Sequence, residues 1–348
     1  MSSLRTELRP GYSISRVIKG GWQLAGGHGT FDRHQAVTDM LTFVDCGITT
    51  FDCADIYTGV EEMIGEAIAT LKKREMFDLD NDIQVHTKLV PDLSKLETIT
   101  HDDIEAIVDR SLKRLNLERL HLVQFYWWDL TLGDPLESLE VLKQLQRKGK
   151  IRYLGCTNWD QHSMRRFVDQ EFDMVSAQVQ YSLLDQRPKG PFSEWCNTNK
   201  LHILCYGVLA GGFLTSRWLG RSDPGFVFEN RSLIKYRLII EDFGGWDLFQ
   251  QLMHVLNEIG MEHEVPLSAV ATRYMLDTSG VASVIIGART ASNIDHTLSA
   301  MSFALSDGNR HAIATVIASR RGPKGSVYEL ERDRDGPHGR IMKYNLNS

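Results

Sequence analysis

Short runs rich in β-branched and aromatic residues alternate along this chain with longer segments in which apolar positions recur every three or four residues. Eight of the short runs read as strands: SRVIKGG from Ser15, ITTFDCA from Ile48, DIQVHTKL from Asp82, LHLVQFYW from Leu120, IRYLGCT from Ile151, MVSAQVQY from Met174, LHILCYG from Leu201 and ASVIIGA from Ala282. Between most of them lie amphipathic segments of helical length. In HDDIEAIVDRSLKRL, Ile104, Ile107, Val108, Leu112 and Leu115 share one face. Asp102 and Asp103 suit the first turn and Lys113 and Arg114 the last, as the helix dipole favours.

Strands alternating with helices in this way predict a parallel sheet, and eight such units without a linker predict one (β/α)8 TIM barrel over residues 1–319. A doubly wound sheet would carry a glycine fingerprint at its first βα turn, and GGWQLAGGHG lacks that spacing. The connection after the seventh strand, from Arg217 to Asp247, is too long for a plain βα loop and predicts a lid or binding loop. Residues 320–348 form a charged, glycine-rich C-terminal tail. Its Val327, Tyr328, Leu330, Ile341, Met342 and Tyr344 favour docking over the barrel mouth rather than disorder.

Composition narrows the class of function. With 42% hydrophobic residues, 348 positions can supply a barrel-sized core. The net charge of -6 offers no basic footprint for nucleic acid or an anionic membrane, which leaves a small-molecule substrate as the expected partner. The first residues contain no apolar signal core, and no window approaches the roughly 18 apolar residues of a membrane span, so a cytoplasmic location is expected. Cys46, Cys53, Cys156, Cys196 and Cys205 are odd in number and lack CxxC spacing, which predicts free, mostly buried thiols. HExxH, P-loop and GxGxxG patterns are absent and the histidines show no ligand spacing, so no metal site is expected.

The barrel gives the ends of its strands a chemical meaning, because residues there face the loops where catalysis is built. Asp52 and Tyr57 follow the second strand, Lys88 ends the third and Tyr126 ends the fourth. An ammonium beside a phenol lowers the phenol's pKa from about 10, and a carboxylate keeps that ammonium charged and oriented. On this reading Tyr57 releases a proton near neutral pH and acts as a general acid toward a carbonyl oxygen.

The stretch FDCADIYTGVEEMIGEAI resembles the aldo-keto reductase motif, in which an aspartate precedes a catalytic tyrosine by five residues. The likeness continues through Lys88, LGCTNW, VQYSLLDQ and IIGARTASN, in the family's order, from about residue 15 to 305. It implies a TIM barrel and hydride transfer from a nicotinamide cofactor to an aldehyde, ketone or sugar-like carbonyl, with Tyr57 as proton donor, Lys88 tuning it and Asp52 supporting Lys88. One position departs: the family's LHWPD-like stretch places histidine where FYWWD places Tyr126. A phenol keeps one hydrogen-bond donor but cannot supply a positive charge. Some double-bond-reducing members alter this position too. A C=C reductase, a redox-neutral isomerase or lyase with bound NADP(H), and an NADPH-binding regulatory subunit with little turnover therefore stand as alternatives.

The resemblance also implies a cofactor set. Thr157 and Asn158 would bond the nicotinamide carboxamide with Gln178, Tyr206 would stack on its ring, and Asn293 would hold the adenine. Gly21, Trp22, Asp52, Leu209 and Gly287 complete the set. Gly207, Gly211 and Gly212 are small enough for a pyrophosphate to approach the backbone. A helix expected to begin near Ser292 offers free amides to an anion, and the forked cation of Arg289 suits an adenosine 2′-phosphate, which favours NADPH over NADH. Trp22, Trp127 and Trp128 are expected to wall the substrate pocket.

Overall fold

A computed structural model describes residues 4–347. An antiparallel hairpin of β1 (Arg5–Arg9) and β2 (Tyr12–Ser15) precedes eight parallel strands: β3 (Val17–Gly20), β4 (Thr50–Asp52), β5 (Gln84–Leu89), β6 (Leu120–Phe125), β7 (Ile151–Thr157), β8 (Met174–Gln180), β9 (His202–Tyr206) and β10 (Val281–Gly287). These eight close into a barrel in chain order, with β10 pairing to β3. Each lies within or overlaps one of the runs read as strands from the sequence. Helices cover the outside, so nearly every strand residue is buried, polar ones such as Gln84, His86, Lys88, Gln124 and Gln178 included.

The hairpin was not anticipated. It lies against the N-terminal ends of the strands, where Arg9 donates to the carbonyls of Lys200 and Met174 and Arg152 donates to that of Gly11. Leu8, Tyr12 and Ile14 are fully buried against Ile18, Leu122, Val175 and Leu204 inside the barrel. The hairpin thus seals the bottom and directs the open end toward the loops after the strands. Among the helices, His101–Leu115 has the bounds that its pattern predicts, begun by a Thr100–Asp103 capping box, with Ile104, Val108 and Leu115 facing the core.

Two parts of the chain shape the open end. The long connection after β9 is helical over Arg231–Phe243 rather than a bare loop, because the Asn230 side chain caps the Leu233 amide (2.9 Å) while Ile239, Ile240 and Phe243 bury one face. A separate apolar cluster forms beneath it around Phe213, Trp246 and Phe249. The tail lies across the mouth. Arg332 donates to the carbonyls of Trp127 (2.7 Å) and Trp128 (2.9 Å), the Tyr328 hydroxyl accepts from the Leu130 amide (2.9 Å), and Asp92 accepts from the amides of Leu346 and Asn347 (2.7 and 3.0 Å). All five cysteines are free.

Candidate functional site

Asp52 closes β4, and its carboxylate is the hub of the barrel's upper interior. Lys88 Nζ donates to both of its oxygens (2.8 and 2.7 Å) and to the Cys53 carbonyl (2.8 Å). Gln124 of β6 and Gln178 of β8 add bonds to Oδ1 at 3.3 and 2.6 Å. Both members of the ion pair are buried, so each charge depends on the other. Burial opposes the Lys88 charge, but Asp52 and then Tyr57 more than offset it and hold the ammonium above its ordinary pKa.

Tyr57 stands beside this pair, with Lys88 Nζ 5.1 Å from the ring centroid and the Trp22 ring 5.0 Å away. The expected lowering of its pKa is corrected here. Burial pushes the phenol up, the pull of Lys88 comes second, and the net shift is upward. Tyr57 therefore rests as a neutral phenol, the protonated form that a proton donor must have.

Tyr126 is also buried and lines the same cavity. Its ring meets Trp128 edge to face (4.8 Å, 89°), and the Arg332 guanidinium lies over it at 4.8 Å. Burial pushes this phenol upward as well, with Arg332 pulling against it. Trp128 lines the cavity, whereas Trp127 does not, which corrects its assignment to the pocket wall: fully buried, it packs on Phe125 and donates to the Leu132 carbonyl (3.0 Å). Alternation along the chain turns it into the helical layer.

The other predicted positions divide in the same manner. Thr157, Asn158, Tyr206, Gly207, Leu209, Gly211, Gly287, Arg289 and Asn293 line one continuous cavity of 840 Å³ together with Trp22, Asp52, Tyr57, Lys88 and Tyr126. The Tyr206 hydroxyl donates to Asn158 Oδ1 (3.0 Å), and among the described residues buried Thr157 Oγ1 has no hydrogen-bond partner. Gln178 lines the cavity too, but its amide donor is directed at Asp52. Gly21 is corrected: its amide bonds the Asp52 carbonyl, and a Cβ there would lie 2.7 Å from Val60, so this glycine serves strand–helix packing. Gly207 and Gly211, both at positive φ, are needed because a Cβ on the first would meet the Tyr236 hydroxyl at 2.8 Å and on the second the Tyr236 ring at 2.7 Å.

The helix after β10 spans only Ile294–Leu298 with Asn293 at its start. Ser292 does not cap it, since its hydroxyl pairs with that of Thr290 (2.8 Å). Arg289 is exposed on the rim and donates to the His28 carbonyl (2.6 Å).

The connection read as a binding loop and the tail read as docking over the mouth both supply cavity residues, of which Arg231, Ser232, Lys235, Tyr236, Glu331 and Leu346 were not singled out in the sequence. Arg217, Arg231, Ser232, Lys235 and Tyr236 come from the connection after β9, and Glu331, Ile341, Met342 and Leu346 from the tail. Ser232 Oγ meets Trp22 Nε1 and His28 Nε2, both at 2.9 Å, while Lys235 pairs with Glu331 and lies 5.0 Å over the Tyr206 ring. The apolar spacing in RSLIKYRLIIEDF was the signal available for these helical positions.

Known proteins resemble this chain in sequence and fold. The chain is 23% identical over 321 residues to the NADH-specific methylglyoxal reductase of Escherichia coli K12, covering 85% of this chain and 93% of the relative. It is 25% identical over 321 residues to the aldo-keto reductase YhdN of Bacillus subtilis, covering 88% and 91%. A solved glycerol dehydrogenase of Gluconobacter oxydans superposes with a TM-score of 0.77 over 93% of this chain and 98% of its own, at 24% identity. The sequence profile of the Aldo/keto reductase family matches residues 16–318, and the chain belongs to that family.

Proposed function

We propose that the protein is an NADPH-dependent reductase of aldehydes, ketones or sugar-like carbonyl compounds, with Tyr57 as the proton donor. The observation that carries this reading is the buried Asp52–Lys88 pair beside a neutral Tyr57, all three facing one large cavity. The residues present fit a nicotinamide dinucleotide. Thr157 Oγ1 is a buried polar atom awaiting a partner, and the backbone at Gly212, where a Cβ would meet nothing within 4 Å, is open to close approach. Thr157 and Asn158 would hold the carboxamide, Tyr206 the ring face, the Gly211–Gly212 turn the pyrophosphate, and Arg289 with Asn293 the adenosine end.

When bound, the reduced cofactor supplies the hydride that a carbonyl carbon accepts. The chain's own part is to bring a proton to the oxygen. Tyr57 gives that proton, and the Lys88 ammonium stabilises the phenolate left behind, so acidity develops where the oxygen gains negative charge. Asp52 keeps Lys88 charged and in place, while Gln124 and Gln178 hold the carboxylate. The test is loss of NADPH absorbance with a panel of aldehydes and ketones, accompanied by alcohol formation. Absence of turnover across the panel overturns the reading.

The choice of cofactor rests on Arg289, a forked cation suited to a 2′-phosphate. Since one relative is named NADH-specific, that choice calls for a direct test. Arg289→Ala is expected to raise the Kd for NADPH about 10- to 100-fold, the worth of a charge-assisted contact, while changing that for NADH less than about two-fold. Fluorescence titration reads both. Equal losses for the two dinucleotides would remove Arg289 from 2′-phosphate recognition.

A further inference from the structure

The tail brings Arg332 to the site, and among the described residues this arginine forms no ion pair. Its N–H groups donate to neutral carbonyls: Trp127 (2.7 and 3.2 Å), Trp128 (2.9 Å) and Tyr328 (2.9 Å). The adjacent carboxylate, Glu331, is paired with Lys235. The guanidinium stands 3.7 Å from the Tyr328 ring centroid and 4.8 Å from that of Tyr126. Side chains alternate along a strand, so Tyr126, the residue just past β6, continues the inward set of Gln124 one layer nearer the mouth, and Gln124 already touches Asp52. The Tyr126 amide bonds the Leu89 carbonyl (3.1 Å), which fixes it beside the Lys88 strand. Trp128 closes one edge of the ring. Among the described residues the Tyr126 hydroxyl has no hydrogen-bond partner, although the residue is only 5% exposed and lines the cavity. The hydroxyl itself is not sealed off from the cavity, so a ligand there can meet it.

We infer that Tyr126 donates a second hydrogen bond to the substrate's carbonyl oxygen, and that Arg332 is the positioning residue that clamps its ring and strengthens it as a donor. The inference rests on the reading of Tyr57 as proton donor to that same oxygen. A cation on the face of a phenol stabilises negative charge on the phenol oxygen, so the hydroxyl polarises more readily as the carbonyl oxygen becomes anionic. The tail thereby contributes the positive charge that tyrosine itself lacks at this position.

The test compares wild type, Tyr126→Phe, Arg332→Met, Arg332→Lys and the Tyr126→Phe/Arg332→Met double variant. Isotope-edited infrared spectra of carbonyl-labelled acetophenone, bound with NADP+, report hydrogen bonding to the carbonyl without requiring turnover. Wild type should lower the stretching frequency, Tyr126→Phe should lose most of that lowering, and Arg332→Met should lose part of it. In steady-state reduction of benzaldehyde, Tyr126→Phe should lower kcat about 100-fold, as loss of one oxyanion donor does, with KM little changed. Arg332→Met should lower kcat about ten-fold, with partial rescue in Arg332→Lys. The double variant should match Tyr126→Phe within about two-fold, because Arg332 acts through the hydroxyl. A stretch that is not lowered in wild type or is indifferent to Tyr126, or an Arg332→Met loss that persists undiminished without the hydroxyl, overturns the inference. Failure of the proton-donor reading looks different: an infrared shift that tracks Tyr126 while Tyr57→Phe leaves turnover intact.

Discussion

Tyr57→Phe is expected to lower kcat for carbonyl reduction by about a thousand-fold, within the range for removal of a general acid, while NADPH binds with unchanged affinity. Phenylalanine keeps the ring that packs at 5.0 Å from Trp22, so the pocket should keep its shape and only the transferable proton is lost. Steady-state kinetics combined with cofactor fluorescence separates the two effects. The same residue sets a pH dependence. Burial raises the Tyr57 pKa above its ordinary value, so the acid stays protonated and the wild-type reduction rate should be level from neutral pH to about pH 10, falling only beyond it. A rate that declines through the neutral range would assign the proton to another group, and a kcat unaffected by Tyr57→Phe would reject Tyr57 as the acid.

Removal of the ammonium should have the largest effect on stability. Lys88→Met leaves Asp52 buried with only the amide donors of Gln124 and Gln178. The expected cost is about 3–5 kcal/mol, the usual consequence of stranding one charge of a buried pair. Denaturant unfolding measures it, and activity should vanish as well, because the phenolate left by proton transfer loses its counter-charge. The double variant Lys88→Met/Asp52→Asn distinguishes the two roles. With no carboxylate to strand, most of the stability should return, but activity should not. If Lys88→Met alone unfolds like wild type, the pair contributes little to the fold. If the double variant is active, Lys88 has no part in proton transfer.

The barrel was legible because short runs rich in β-branched and aromatic residues alternate with segments whose apolar positions recur every three to four residues, the mark of helices with one buried face. Asp52, Tyr57, Lys88 and Tyr126 were legible because barrel chemistry gathers at strand ends. The hairpin was missed although Pro10–Gly11 marks a turn, with Gly11 at a φ of 74°, because charged positions among Arg5–Arg9 obscure the alternation of so short a pair. Trp127 and Trp128 are equivalent in composition, and only the direction of the chain after β6 buries one and opens the other to the cavity. Gln178, which the resemblance assigned to the carboxamide, does line the cavity, but only the fold shows that the carboxylate of Asp52 across the barrel takes its amide donor.

By itself the sequence determined which segments become the eight barrel strands, that they close in order, and that Asp52, Tyr57, Lys88 and Tyr126 reach the mouth. These follow from short-range periodicity and from the βα alternation. Tertiary structure alone decided how the charges are matched: Lys88 with Asp52, Lys235 with Glu331, and Arg332 over Tyr126 instead of against an acid. Such pairings join residues tens to hundreds of positions apart, and electrostatic energy depends on distance and burial, quantities that exist only once the chain has folded.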